Sequence, residues 1–278
     1  MAQTAMEDFT RYLLAKRSVD DRALNRRVWE RLERELRESQ AELVRIVDVG
    51  AGLGTGAERI AAWRLVEPLS TVRYTGVEPR EELLSEARLR LQTLPFPTEL
   101  AATSLEEYAA RAENRGRSEL VMAHALLDIL ELSPSLEALV ALARPGGLLY
   151  LPITFDGVTL FEPGSSQDDA VVSAYHDTME ERGSSRTGRR LFHALRSVAT
   201  EVLEIGSSDW IVHPTGDGYL DDEAFFLEFL LNTIEGAVRD RVERASLEAW
   251  LGDRRRQLAS ADLVYCAHQV DVLARTSS

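Results

Sequence analysis

Short apolar runs alternate with amphipathic stretches over the first 155 residues of the chain. The apolar runs, rich in Val, Leu, Ile and Tyr, are 43–50, 72–79, 96–104, 118–126 and 146–155. The stretches with apolar residues at helical spacing are 56–66, 80–94, 104–115 and 133–144. Strands that alternate with helices predict a parallel sheet with helices on both faces. The pattern therefore predicts an α/β fold with a doubly wound, mostly parallel sheet.

The N-terminal segment, residues 1–40, precedes the first predicted strand and is predicted to be helical. Apolar side chains recur there every three or four residues among charges, as at Leu24, Val28, Leu32 and Leu36. We expect this segment to lie outside the sheet itself.

The last third of the chain has fewer apolar runs and more helical periodicity. Helices are predicted at 186–199, 221–239 and 243–259, and a closing strand at 262–275. We interpret 156–185 and 215–260 as insertions between the late strands. Ligands of open α/β sheets sit outside the carboxyl ends of the strands, so these insertions are predicted to form a lid over the substrate. We expect a single domain over 1–278, with the cofactor-binding half at 41–155.

Composition limits the function classes. With 45% hydrophobic and 28% charged residues, the chain has the composition of a soluble globular protein. It has no apolar run near the ~20 residues of a membrane helix and no secretory signal pattern, so we expect a cytoplasmic protein without a membrane partner. Its net charge of −14 disfavours nucleic acid as a partner. A homodimer is left open.

Two rare residue types narrow the chemistry further. Cys266 is the single cysteine, which excludes an internal disulfide and a cysteine-rich metal site, and we expect it to be a thiol buried in the last strand. Lys16 is the single lysine and lies in the N-terminal segment, so we expect no catalytic lysine in the body of the fold. No cluster of histidines and carboxylates has ligand spacing, and no metal is predicted.

The stretch "VDVGAGLGTG", residues 47–56, places glycines at alternate positions directly after the first predicted strand. Bare backbone and the free N–H groups of a helix start suit a ligand that lies on the turn. A dinucleotide uses such a turn through its pyrophosphate, and S-adenosylmethionine uses it through its amino-acid part. Gly52 to Ala57 also fits the dinucleotide pattern G-x-G-x-x-A, so spacing alone leaves both ligands open.

Two acidic residues accompany the turn. Asp48 stands two positions before the first glycine, and Glu78 ends the next predicted strand. In these features the chain resembles the class I S-adenosylmethionine-dependent methyltransferases, by motif over about 44–155 and by topology over the rest. The resemblance implies a Rossmann-like fold whose last strand is antiparallel, a place that 262–275 fits. It also implies S-adenosyl-L-methionine as the cofactor.

The resemblance assigns roles to several residues. The methionine moiety would lie along Gly50, Ala51, Gly52 and Gly54. Asp48 would hold its ammonium, directly or through water. Glu78, followed by Pro79, would bind both ribose hydroxyls, because a carboxylate accepts two hydrogen bonds. "ARPGGLLYLPI" resembles the structural Pro-Gly-Gly turn before the family's fifth strand.

The adenine end departs from the family pattern. Many members carry an acidic residue after the third strand to meet the adenine amino group, whereas this chain reads "AATSLEEY". We expect Ser104 to accept that hydrogen bond and the N–H of Leu105 to meet a ring nitrogen.

Two histidines are candidate general bases, which a hydroxyl acceptor would require. His124 follows the fourth strand, where the family places its acceptor site, and we also count it among the residues near the cofactor. His176 lies in the first insertion. Asp128 lies four residues after His124 and would orient it if a helix begins there; a helix-start carboxylate is the alternative. A structural role is the alternative for each histidine.

Two further stretches are candidates for the acceptor pocket. "RGSSRTGRR" concentrates Arg182, Arg186, Arg189 and Arg190. Arg186 and its neighbours would bind a carboxylate or phosphate, and ion pairs with Glu180 and Glu181 are the alternative. Trp210 and Tyr219, beside turn residues, would form an aromatic cover over the sulfonium or acceptor, and core packing is the alternative.

The sequence therefore predicts a methyltransferase that acts on a small-molecule acceptor by in-line transfer, the acceptor being anionic if Arg186 binds it. An NAD(P)-dependent oxidoreductase is the first rival, although its short-chain class needs a Tyr-x-x-x-Lys pair that this chain lacks. A non-catalytic protein that binds S-adenosylmethionine and uses its acidic surface for a partner is the second.

Overall fold

One eight-stranded sheet forms the centre of a computed structural model, which describes residues 2–66, 71–181, 183–198 and 200–277. The strands are β1 (Leu43–Val49), β2 (Thr71–Val77), β3 (Thr98–Ala101), β4 (Ser118–Ala123), β5 (Ala143–Glu162), β6 (Thr200–Ser207), β7 (Trp210–Val212) and β8 (Val264–Thr276). The helices are α1 (Ala2–Ala23), α2 (Arg26–Glu38), α3 (Thr55–Ala62), α4 (Glu81–Leu91), α5 (Leu105–Ala110), α6 (Leu132–Leu142), α7 (Asp168–Met179), α8 (Thr187–Ser197), α9 (Glu223–Val238) and α10 (Arg244–Ala259), with 3₁₀ turns at Ala112–Asn114 and Leu127–Ile129.

The strand order is β3-β2-β1-β4-β5-β8-β6, and β7 pairs with β8 on the edge opposite β5. Neighbours from β3 to β5 are parallel, whereas β8 runs antiparallel between β5 and β6. The predicted α/β fold, with its mostly parallel sheet and antiparallel last strand, is confirmed. The carboxyl ends of β1, β2 and β4 meet at one edge of the sheet.

Apolar side chains cover both faces of this sheet. The central strand β4 is buried at every position, as expected for a parallel strand between two helical layers. One cluster packs α2 and α3 against the sheet, around Leu32 and Ile60. The opposite cluster packs α5, α6 and α8, around Leu139 and Leu191. A third cluster joins α1, α7, α9 and α10 beyond the sheet edge.

Strand β5 is longer than predicted. Residues 156–162 continue it, so the first insertion begins after Glu162 and its predicted start at 156 is wrong. The extension exists because β8 runs alongside and pairs with it beyond the parallel strands. Two register shifts turn this arm, next to Ile153 and Gly157, which both have positive φ.

The two insertions pack on each other through α7 and α10. The indole of Trp250 donates to Asp168 Oδ1 at 2.7 Å, and the fully buried Arg254 pairs with the same carboxylate. Arg254 also donates to the carbonyl of Pro163 at 2.6 Å. One polar cluster therefore fixes both insertions.

The N-terminal segment forms two helices that break at Asn25. Its side chain caps α2 by accepting from the N–H groups of Arg27 and Val28, and its own N–H donates to Asp271 at 2.8 Å. The break allows α2 to pack on the sheet while α1 contacts α9 and β7. In the described part of the chain, no helix combines the length and apolarity needed to cross a membrane.

Candidate functional site

The glycine turn joins β1 to α3 in left-handed backbone. Gly50, Gly52 and Gly54 have φ of +72°, +53° and +78°, which side-chain-bearing residues reach only with strain. The N–H groups of Gly50 and Ala51 both donate to the carbonyl of Val77, at 2.8 and 3.1 Å. The end of β2 therefore holds the turn, and Gly54 begins α3 without a side-chain cap.

Asp48 is buried beneath this turn. Its Oδ2 accepts a 2.7 Å hydrogen bond from the hydroxyl of Tyr74, while its Oδ1 has no hydrogen-bond partner among the described residues. Burial raises its pKa to about 6. A Cβ on Gly56 would lie 2.3 Å from Asp48 Oδ2, so the fourth glycine makes room for the carboxylate rather than for a ligand.

Glu78 follows β2 and is 2% exposed. Its Oε1 accepts from Nε and the backbone N–H of Arg80, at 2.7 and 3.2 Å. Its Oε2 accepts from the N–H of Gly52 at 3.3 Å and from Arg80 Nη2 at 3.4 Å. The carboxylate thus touches the glycine turn, but an arginine that the sequence prediction missed holds both of its oxygens. Pro79 is exposed between them.

Helix α1 crosses above the same groups. The ring of Phe9 lies 4.7 Å from the Arg80 guanidinium, and a Cβ on Gly52 would lie 3.7 Å from Leu13 Cδ1. Arg17 of α1 pairs with Glu58 in the first turn of α3 at 2.8 Å. Helical periodicity predicted α1, but nothing local in its sequence indicated which part of the sheet it would cover.

The residues predicted for adenine lie at the start of α5. Ser104 is its N-cap, and Ser104 Oγ accepts from the N–H of Glu107 at 3.2 Å. The side chain of Leu105 is buried in the cluster against α6. The serine oxygen therefore already has a local donor, while its hydroxyl hydrogen can still donate.

His124 follows β4 and is held by a carboxylate from α1. Its Nε2 lies 2.9 Å from Asp20 Oδ2, and its Nδ1 lies 3.5 Å from Arg59 Nη1. The predicted partner, Asp128, makes no hydrogen bond to the imidazole, because a short 3₁₀ turn stands there instead of a helix. The assignment of Asp128 as the orienting carboxylate is therefore wrong, and Asp20 has that place.

Burial governs the charge of this pair. Desolvation lowers the pKa of His124 to about 4, although Asp20 opposes the shift. The pKa of Asp20 is lowered: burial raises it, but Lys16 and His124 together outweigh burial. At neutral pH the pair is thus a neutral imidazole hydrogen-bonded to a carboxylate, the protonation state of a general base.

Lys16 of α1, the single lysine of the chain, lies next to this pair. It is 8% exposed, pairs with Asp20 at 2.5 Å, and lies 5.0 Å from the ring centre of Trp210. The indole of Trp210 also donates to Asp20 at 2.9 Å. The aromatic ring predicted to face the sulfonium or acceptor thus already faces a cation of the protein.

Asp128 remains buried near two tyrosines. Its Oδ1 has no hydrogen-bond partner within the described ranges, and burial raises its pKa to about 6. The pKa of Tyr175 is raised to about 12, mainly by burial and further by the charge of Asp128. The same charge also contributes to the raised pKa of Tyr12.

His176 and Arg186 line one groove of about 930 Å³, between the β5 arm and α7. His176 Nε2 lies 3.0 Å from the hydroxyl of Thr159, and burial lowers its pKa. Arg190 also lines this groove and donates to Ser184 Oγ at 2.8 Å. The groove brings together three of the predicted residues, His176, Arg186 and Arg190, and it shares no lining residue with the glycine turn.

The remaining candidates lie elsewhere. Arg189 pairs with Asp156 at 2.9 Å, while Arg182 lies outside the described residues. Glu181 pairs with Arg241. The hydroxyl of Tyr219 donates to the carbonyl of Leu263 at 2.9 Å, and its ring packs against the cluster around α9 and α10. No group of three or more His, Cys, Asp or Glu side chains in the described ranges is arranged to hold a metal ion.

The chain is similar to known proteins in structure. No protein-family model matches it, and no curated protein sequence matches it. A candidate methyltransferase from Bacillus halodurans matches with a TM-score of 0.55 and 11% identity, over 88% of this chain and 99% of that one. A candidate type II methyltransferase from Anaeromyxobacter dehalogenans matches with a TM-score of 0.53 and 17% identity, over 92% of this chain and 98% of that one. The chain has the class I methyltransferase fold.

This methyltransferase fold accounts for the place of β8. A dinucleotide-binding sheet of the Rossmann type has the order 3-2-1-4-5-6, whereas here an antiparallel strand separates β5 from β6. The sheet topology is therefore that of the methyltransferase fold and differs from that of the Rossmann dinucleotide-binding sheet. The fold also places the glycine turn, Glu78 and His124 along one sheet edge.

Proposed function

We propose that the protein is an S-adenosylmethionine-dependent methyltransferase that acts on a small-molecule acceptor. The observation that carries the proposal is the contact between the glycine turn and the acid after β2, in which the N–H of Gly52 meets the Glu78 carboxylate. Backbone without side chains beside a carboxylate offers one ligand both close approach and two hydrogen-bond acceptors. The methyltransferase fold supports this reading.

The residues present fit the cofactor. Gly50, Ala51, Gly52 and Gly54 would hold the methionine part. The unpartnered Oδ1 of Asp48 would face its ammonium through water, and Glu78 would take the ribose hydroxyls once Arg80 turns away. Ser104 and the N–H of Leu105 would border the adenine, with Pro79 beside it.

When bound, the cofactor supplies a sulfonium methyl group for in-line displacement. The chain's main contribution is alignment, since orientation provides about 7 to 11 kcal/mol in such reactions. For an acceptor that loses a proton, His124 would accept it at Nδ1, because Nε2 is engaged by Asp20; Arg59 Nη1, which lies 3.5 Å from Nδ1, would first have to move away. Such a base adds about 10²- to 10⁴-fold to the rate.

The insertions would enclose the acceptor. Both pack beyond the carboxyl edge of the sheet together with α1, and an enclosed site suits a metabolite better than a protein surface. An anionic part of the acceptor would bind in the groove beside α7, which His176 and Arg186 line. Asp128 and Trp210 would act as further pocket residues.

Calorimetric titration tests the proposal. S-adenosylmethionine and S-adenosylhomocysteine are expected to bind with micromolar affinity, while NADH and NADPH should give no heat. Glu78→Ala is expected to abolish binding of both sulfur ligands, because the ribose acceptor is removed. Glu106→Ala, an exposed carboxylate on α5, is the matched control.

Three results would change the conclusion. Binding of a nicotinamide nucleotide alone would assign the turn to a dinucleotide. Tight binding of the sulfur ligands without turnover on any acceptor in a broad screen would identify a non-catalytic binding protein. If none of the four ligands binds, the glycine turn is not a cofactor-binding site of either kind.

A further inference from the structure

The acid that would bind the cofactor ribose is already saturated by the protein. Among the described residues, four hydrogen bonds to Glu78 are formed: three come from Arg80 and one comes from Gly52. Two ribose hydroxyls need the same carboxylate oxygens as acceptors. The guanidinium and the ribose therefore compete for one carboxylate, and only one of them can occupy it.

Arg80 is also attached to α1. The guanidinium lies 4.7 Å from the ring centre of Phe9, within the range of cation–π attraction. Leu13, four residues along the same helix, covers Gly52 of the turn. The closure of Glu78 and the covering of the turn are therefore one structural arrangement.

Charged contacts hold α1 in this place. Arg17 pairs with Glu58 on α3, and Asp21 accepts from Arg59 at 2.7 Å. At its other face, the ring of Tyr12 stacks on Phe229 of α9 at 4.3 Å. These contacts join α1 both to the cofactor edge and to the insertions.

We infer that Arg80 and Phe9 form a latch, which closes the cofactor site until the ribose displaces the guanidinium from Glu78 and α1 withdraws from the glycine turn. The latch rests on the proposed function, since it concerns the admission of that cofactor. The apparent dissociation constant then equals the intrinsic one divided by the fraction of molecules with the latch open. Weakening the latch raises this fraction and tightens binding.

The first test compares Arg80→Met with wild type by calorimetry, with S-adenosylhomocysteine as the probe. Arg80→Met is expected to bind about tenfold more tightly, because the competing guanidinium is gone. Arg88→Met is the matched control: Arg88 lies on α4, which Arg80 precedes as the N-cap, is exposed, and pairs with Glu81 rather than Glu78. Equal or weaker binding by Arg80→Met would overturn the latch, and weaker binding would make Arg80 a ligand of the cofactor.

A second variant covers the case in which unpaired Glu78 prevents folding of Arg80→Met. Phe9→Ala leaves the ion pair in place and is expected to tighten binding about threefold. Phe192→Ala, a partly exposed phenylalanine on α8, is its control and should change nothing. Unchanged affinity in Phe9→Ala would count against coupling between α1 and Arg80.

Hydrogen exchange on the full chain gives a readout of α1 itself. S-adenosylhomocysteine is expected to speed amide exchange in residues 2–23 at least threefold, while α10 serves as the internal reference. Slower exchange in α1 on binding would overturn the latch and show that α1 closes over the ligand. If wild type and variants all fail to bind, the proposed function fails together with the latch, whereas wild-type binding without these differences removes the latch alone.

Discussion

His124 is a residue whose environment decides its charge. It lies between Asp20 and Arg59, with Lys16 next to the same carboxylate, and burial lowers its pKa from 6.5 to about 4. As pH falls, the unfolded chain takes up this proton before the folded protein does. The stability that His124 contributes is therefore fully present above about pH 6.5 and is lost as pH falls toward 4.

This sign gives a measurable prediction. Between pH 7 and pH 5, wild type should lose about 2 kcal/mol of unfolding free energy relative to His124→Gln, as measured by urea denaturation. The comparison with a variant is needed because Asp48, Asp128 and Asp271 have pKa values raised to about 6 and gain stability as pH falls. A constant difference between the two proteins at both pH values would contradict the burial of a neutral imidazole.

Gly56 contributes to the packing beneath the glycine turn. Its missing Cβ makes space for Asp48, not for a ligand. Gly56→Ala should lose about 1 to 3 kcal/mol by overpacking, measured by thermal or urea unfolding. Gly218→Ala, where a Cβ meets nothing within 4 Å, should stay within about 0.5 kcal/mol. Equal stability of both variants would contradict the role of Gly56 in making space for Asp48.

Residues within one motif were accessible from the sequence, but partners across the chain were not. Asp48 and Glu78 stand at fixed places next to strand ends, so a pattern identifies them. Asp20 is separated from His124 by 104 residues, and only the path of α1 brings them together. Lys16 appeared peripheral for the same reason. Arg80 stands only two residues after Glu78 in the sequence, but no spacing rule indicates that its guanidinium would fold back onto the carboxylate.

At the scale of elements, the break between α1 and α2 directs the N-terminal helices to different surfaces. Asn25 fixes this break by capping α2 and by donating from Nδ2 to the carbonyl of Ser207 at 2.8 Å. Asn25→Ala should therefore lose about 1 to 2 kcal/mol of unfolding free energy, the usual cost of a lost cap. Ser197→Ala, at an exposed serine whose hydroxyl donates to the carbonyl of Ala194 in its own helix, should change it by less than about 0.5 kcal/mol. A loss in Asn25→Ala no larger than this would contradict the role of the cap.

Periodicity predicted β1 to β5, β8 and most of the helices, since short apolar runs and helical spacing are local properties, whereas α7, β6 and β7 were not predicted. The antiparallel direction of the last strand came from the family resemblance instead. The extension of β5 was missed because its stability comes from pairing with β8, more than one hundred residues later, as in Leu160 opposite Cys266. Pairing of that kind leaves only a weak alternation in "DGVTLFE".

At the scale of the whole molecule, the net charge of −14 affects stability through repulsion among many carboxylates rather than through any single contact. Surface pairs such as Arg26–Glu30 and Arg244–Glu248 have both side chains more than half exposed, and such pairs contribute about 0 to 1 kcal/mol each. Pairing also leaves the net charge of −14 unchanged. The surplus carboxylates repel one another, which destabilises the compact state.

Salt should therefore stabilise this protein. Added ions shorten the screening length to about 10 Å at 0.1 M and weaken repulsion among many distant charges more than contacts between close pairs. We expect the melting temperature to rise by several degrees as NaCl increases from 0.02 to 0.5 M, at about 2 to 4 °C per kcal/mol for a chain of this size. Replacing two exposed acids, as in Asp217→Asn with Glu106→Gln, should raise the melting temperature at low salt and reduce the salt effect. A melting temperature that falls with salt in both proteins would mean that the ion pairs outweigh the repulsion.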